Sequence, residues 1–152
     1  MAATELEIPE GQFLCVGTEL TMPEIPAFGM AQVGPLYDAA DALKLAVLGP
    51  AVFFYHGADG SPTKRFHLEI GLPVREAAGT PDSPRYFKAM AKFKCLSTTH
   101  KGSMAGIVAA WSGIVHEALA RGAKLNGEGR EVYHIWESFD SAINVTELQI
   151  GI

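Results

Sequence analysis

The chain repeats itself, and that duplication restricts its fold more than any other feature. Residues 12–18, QFLCVGT, match 92–98, KFKCLST, in Phe, Cys and Thr at a step of 80. Further on, 53-FFY-55 matches 131-EVY-133, and 69-EIGLPV-74 matches 147-ELQIGI-152, both at a step of 78. Two copies of one supersecondary unit follow. Repeat one spans about 11–74 and repeat two about 85–152, joined by the Pro- and Gly-bearing linker 75-REAAGTPDSP-84. At 152 residues the two copies are expected to form one domain over 1–152.

Within each copy the signals run strand, helix, strand, strand. Copy two opens with Phe93 to Thr99, rich in strand formers, and breaks at Gly102. From Ser103 to Arg121 apolar residues recur at three- and four-residue steps: Met104, Ile107, Val108, Trp111, Ile114, Val115, Ala118 and Leu119. Gly122 caps that helix. Strands 130–136 and 143–152 follow. Copy one runs strand 13–20, then a helix from near Glu24, with Pro26 in its first turn, through 36-LYDAADALKLAV-47. Pro35 removes a helical hydrogen bond, so a bent helix is expected there, with a loop as the competing reading. Strands 51–56 and 65–74 complete the copy. The predicted class is α+β: an antiparallel sheet with two long helices on one face, and pseudo-twofold symmetry between the repeats. A groove between two such copies is a natural ligand site.

Several functions are disfavoured. The hydrophobic fraction of 48% with 19% charge is globular, and no apolar run is long enough for a membrane helix. No export signal opens the chain, which points to the cytoplasm and to reduced, core-like Cys15 and Cys95. A formal charge of -5 disfavours nucleic acid, since Arg85, Lys88, Lys92, Lys94 and Lys101 form only a loose cluster. No phosphate-binding glycine loop and no G-x-S-x-G elbow is present. The five histidines sit on separate elements, and 116-HEALA-120 lacks the second His of a zinc helix, so neither a metal nor a cofactor is expected.

The aromatic residues carry more information. Strand alternation puts Glu131, Tyr133 and Ile135 on one face, and Val132, His134 and Trp136 on the other. At the step of 78, Phe53 and Tyr55 stand where Glu131 and Tyr133 stand, so one face presents Phe53, Tyr55, Tyr133 and a single carboxylate. Such a carboxylate walled by rings suits an organic cation. Buried without a cationic partner, it is equally a candidate general acid or base. Glu69 and Glu147, matched at the same step, read as structural, facing Lys or Arg or lying in solvent.

The doubled unit, 100-HKGSMAGIVAAWSGIV-115, 131-EVY-133 and the closing 147-ELQIGI-152 together resemble the gyrase-inhibitor-like (GyrI-like) family. That family includes the effector-binding domains of MerR-type multidrug regulators and AraC-type activators, and the resemblance extends from about Glu5 to Ile152. It implies a small-molecule binding module, often for lipophilic cations, with the ligand between the halves. The family's Glu-x-Tyr motif falls on Glu131 and Tyr133, and its helix aromatic on Trp111. The helix step of 76 that sets Leu119 opposite Leu43 puts Pro35 opposite Trp111. Met104 stands where relatives commonly carry a Tyr.

With its first strand starting within about a dozen residues of Met1, the sequence leaves no room for the regulators' DNA-binding domain and is similar to stand-alone members. Ligand contacts are expected from Glu131, Tyr133, Trp111, Phe53, Tyr55 and Tyr37. Some stand-alone members are similar to hydrolases that open strained cyclopropane rings. On that alternative Glu131 activates water and Tyr133 or Tyr37 donates a proton. A second alternative is a protein-interaction module, and uncovered edge strands make a homodimer a further expectation.

Overall fold

The computed structural model describes residues 2–152. Its strands are β1 (Thr4–Ile8), β2 (Gly11–Leu20), β3 (Val52–His56), β4 (Phe66–Val74), β5 (Tyr86–Met90), β6 (Phe93–Lys101), β7 (Glu128–Ile135) and β8 (Val145–Gly151). Helix α1 (Ile25–Ala42) follows β2, and α2 (Ile107–Ala120) follows β6. The strands make one antiparallel sheet, ordered β1-β6-β8-β7-β3-β4-β2-β5, which curls into a half-barrel. The order is a palindrome of equivalent strands, so the pseudo-twofold axis passes between β7 and β3 at its centre. Among the described residues no helix is long and apolar enough to cross a membrane.

Each repeat lends its leading strand to the other. β1 pairs with β6, and β5 pairs with β2. Both edge strands were absent from the sequence prediction, because five residues such as TELEI, alternating with charge, give little apolar signal. Three lysines of the loose basic cluster are absorbed here: Lys92 pairs with Glu7, Lys94 with Glu5, and Lys88 with Glu69.

The helix faces follow the periodicity only in part. Leu36 and Ala40 of α1, and Ile114 and Ala118 of α2, are buried. Val108 and Leu119 face solvent, so the apolar stripe of α2 is narrower than its sequence predicts. The α1 helix runs unbroken through Pro35 and stops at Ala42 rather than reaching Val47. Lys44 takes a left-handed φ of 57° there, and Val47 instead bridges to Val74. The buried pairs Leu36/Ile114 and Ala40/Ala118 align the helices at a step of 78, which sets Val33, not Pro35, opposite Trp111.

Both helices pack on one sheet face, α1 over Leu14, Val16, Leu68 and Ile70, and α2 over Leu96, Leu148 and Ile150. The opposite face holds Cys15, Val52, Phe54 and Met90. Burial pushes the Cys15 thiol up to about 12 and that of Cys95 up to about 11, and both are unpaired. Arg130 lies on the same face between the rings of Phe93 at 3.9 Å and Phe54 at 4.8 Å, and pairs with Glu128 at 2.7 Å.

Glu69 is buried at 1% exposure on this face. It accepts hydrogen bonds from Lys88 at 2.8 Å, from His56 at 2.9 Å and from the Tyr86 hydroxyl. Burial pushes the Glu69 carboxyl up, but the bonds from His56, Lys88 and Tyr86 outweigh it and hold the group at about 2, against an ordinary 4.5. A depressed carboxyl stabilises the fold above its unfolded value and loses that contribution as pH falls toward the folded one. Between pH 5 and pH 2 we expect the free energy of unfolding to drop by about 2 to 3 kcal/mol on this account. Urea titrations across that range should show Glu69→Gln starting lower and falling less steeply.

Candidate functional site

The pairings across the sheet define which residues the pseudo-axis relates. Cys15 opposes Gly71 as Cys95 opposes Gly151, which carries Leu68 onto Leu148. Tyr55 opposes Leu68, and Glu131 opposes Leu148. Tyr55 is therefore the counterpart of Glu131, and Phe53 the counterpart of Gly129. The sequence match that set Phe53 against Glu131 and Tyr55 against Tyr133 is slipped by two residues. A slip of two in the opposite direction applies to Glu69, whose counterpart is Gln149 rather than Glu147.

Because β3 and β7 are adjacent, residues related by the axis meet across it. Glu131, only 4% exposed, accepts from the Tyr55 hydroxyl on Oε1 at 2.6 Å. The Tyr133 hydroxyl donates to the same oxygen, and the Trp111 indole Nε1 donates to Oε2 at 2.6 Å. Phe53 lies directly opposite Glu131 in the ladder and meets Tyr133 edge-on at 4.7 Å. Tyr55 meets Trp111 at 6.2 Å, also edge-on. Glu131 and four of the other five predicted ligand residues thus come together in one cluster. Tyr37 does not: it stands 42% exposed on α1, outside the set that donates to Glu131.

All three donors are neutral. Burial raises the Tyr55 and Tyr133 hydroxyls well above their ordinary range, and the charge of Glu131 adds to the effect, so both phenols keep their protons. Among the described residues no Lys, Arg or His approaches Glu131 within ion-pair distance. Nor do any three His, Cys, Asp or Glu groups converge to hold a metal ion. Two open depressions, about 810 and 340 Å³, lie elsewhere, one between β6 and α2 and one between α1 and residues 80–85. Around Glu131 itself the aromatic side chains close on one another.

Each of the two aromatic rings fits because a glycine faces it. In repeat one the Phe53 ring lies against Gly29 of α1, where a Cβ would come within 3.1 Å of it. In repeat two Trp111 projects from α2 onto Gly129 of β7, also at 3.1 Å. The strand supplies the ring in one half and the helix supplies it in the other. Trp111 packs against the apolar clusters of both halves, and so spans the junction.

The sequence matches no family model and no curated protein. Solved structures do match. The EcmrR C-terminal domain superposes with a TM-score of 0.81 at 20% identity, covering 98% of this chain and 95% of that one. SAV2435 bound to tetraphenylphosphonium gives 0.71 at 11% identity, covering 99% and 93%. A hydrolase from Listeria innocua gives 0.63 at 12%, covering 99% and 91%. In a cryo-EM structure of an EcmrR–DNA complex the match covers 98% of this chain and 56% of that one. The fold is therefore GyrI-like, an α+β sheet of two related halves.

Introducing a side chain at Gly129 tests the packing of Trp111. We expect Gly129→Ala to push the indole off Oε2 and cost about 1 to 3 kcal/mol, the usual range for overpacking. Gly29→Ala should cost less, because replacing a helical glycine returns about 0.5 to 1 kcal/mol. Denaturant unfolding followed by tryptophan fluorescence reads both quantities.

Proposed function

We propose that this chain binds small hydrophobic organic cations, with Glu131 as the counter-charge. The observation that carries the reading is a buried carboxylate held by three neutral donors and no cation. Removing a carboxylate from water is costly unless a positive partner arrives, and neutral hydrogen bonds repair only part of that cost. An organic cation supplies the missing charge, while the rings of Tyr55, Tyr133, Phe53 and Trp111 offer the quadrupoles that attract it. A carboxylate has about four lone-pair directions and three are taken, so the ligand is held by charge and ring faces more than by new hydrogen bonds. Binding of tetraphenylphosphonium to SAV2435, which shares the fold, supports the same class of ligand.

Entry requires an aromatic side chain to move, since the site is closed. Trp111 and Tyr133 are both partly exposed donors, and Trp111 is the one carried by a helix rather than by the sheet, so the movement is assigned to its indole. The Tyr55 and Tyr133 hydroxyls stay aimed at Glu131 while the indole moves, so little reorganisation of the sheet is needed once the cation is seated.

A hydrolytic reading uses the same residues. Two phenols kept protonated beside one carboxylate can donate to a leaving group while Glu131 orients water. The likeness to a hydrolase from Listeria innocua supports it. Against it, both hydroxyl protons already serve the carboxylate and are not free for a leaving group. We therefore rank binding first.

Calorimetric titration with tetraphenylphosphonium should give saturable binding by wild type. Glu131→Gln should weaken it by about 1 to 2 kcal/mol, roughly five- to thirtyfold in Kd. Equal binding by both proteins would remove Glu131 from the site. Incubating the protein with a cyclopropane-bearing electrophile and following ring opening by chromatography separates the readings: conversion that depends on Glu131 would favour the hydrolase.

A further inference from the structure

Strict alternation assigns Trp136 to the sheet face away from Glu131, but a β-bulge reverses that assignment. Tyr133 pairs with Thr146 and Ile135 with Val145, so His134 is an extra residue in β7. An extra residue shifts the alternation by one for everything beyond it. His134 itself stays on the far face, its Nε2 bonded at 2.8 Å to Glu147. Glu147 is anchored in turn by the Ser97 hydroxyl at 2.7 Å and the Gln149 amide at 2.8 Å. Past the bulge, Trp136 returns to the Glu131 side and meets Tyr133 edge-on, ring centroids 5.7 Å apart at 87°.

From these contacts we infer that Trp136 is the outer wall of the Glu131 site and makes it selective for cations that carry aryl groups. The inference rests on the binding function proposed above. The rings form a continuous path: Phe53 touches Tyr133, whose hydroxyl reaches Glu131, and Trp136 touches the outer side of Tyr133. Trp136 is 44% exposed, in a segment where Ile135, Phe139 and Ile143 are also exposed. An exposed indole beside a charged site offers a flat, polarisable surface to the part of a ligand that does not carry the charge. The charge goes inward to Glu131, and an aryl substituent lies outward on Trp136. An alkyl cation of equal charge satisfies the inner half of the site only. His134 is a positioning residue: its bond to Glu147 fixes the bulge that aims Trp136.

Two probes with the same charged centre, tetraphenylphosphonium and tetrabutylphosphonium, separate the halves of the site by calorimetry. For Trp136→Ala we expect Kd to rise about tenfold with the aryl probe and less than about threefold with the alkyl probe, the scale of one lost aromatic contact. Trp136→Phe, which keeps a ring, should stay within about threefold of wild type for both. His134→Ala should move selectivity in the direction of Trp136→Ala, a change that simple loss of stability does not produce. Wild-type affinity retained by Trp136→Ala, or an equal loss for both probes, overturns the inference and leaves the binding function standing. Failure of wild type to bind either probe overturns both. Loss of affinity for both probes in Glu131→Gln, with the aryl preference kept, is the expected control.

Discussion

The contact between Tyr55 and Glu131 organises this molecule. They occupy equivalent places in two copies of one unit, on adjacent strands astride the pseudo-twofold axis, and their side chains meet at 2.6 Å. Identical residues there would remove the pairing: two carboxylates would repel, and two phenols would bring no charge to the axis. One phenol and one carboxylate provide it by making one donor and one acceptor. The differences nearby follow from that choice. Gly129 stands where its counterpart is Phe53, which opens the volume that Trp111 fills to reach the second carboxylate oxygen. The symmetry supplies a scaffold, and the site exists because the symmetry fails at its centre.

Much of this was legible in the sequence, and the failures have specific physical origins. The duplication, the antiparallel sheet and the helices on one face were readable from matched segments and periodicity. The register of the match in β3 and β7 was wrong by two residues. A shift of two in a strand moves every side chain along the strand but leaves it on the same face. Phe53, Tyr55, Glu131 and Tyr133 were therefore collected correctly although their equivalences were not. A shift of one is not forgiving, and the bulge at His134 supplies one, so Trp136 was placed on the wrong side. No local sequence signal marks that bulge. Only the pairing with Val145 and Thr146 on a distant strand defines it. Tyr37 stands apart for a different reason: α1 turns its neighbours Leu36 and Ala40 toward the sheet, which leaves Tyr37 exposed.

The molecule also contains an internal standard for judging Glu131. Glu69 is equally buried, also on a strand interior and also accepts from three side chains. Its donors include the Lys88 amine, in ion-pair contact at 2.8 Å, and a histidine within hydrogen-bond distance. That carboxylate is satisfied in charge as well as in hydrogen bonds, which suffices to explain its burial. Glu131 has the hydrogen bonds without the charge. The two sites lie on opposite faces of one sheet, and the difference that bears on charge is the cation built into the first. A structural role explains a buried carboxylate whose counter-ion is built in. It accounts less well for one whose donors, held in place by packing from both halves, are all neutral, and that contrast is what the proposed binding of an external cation rests on.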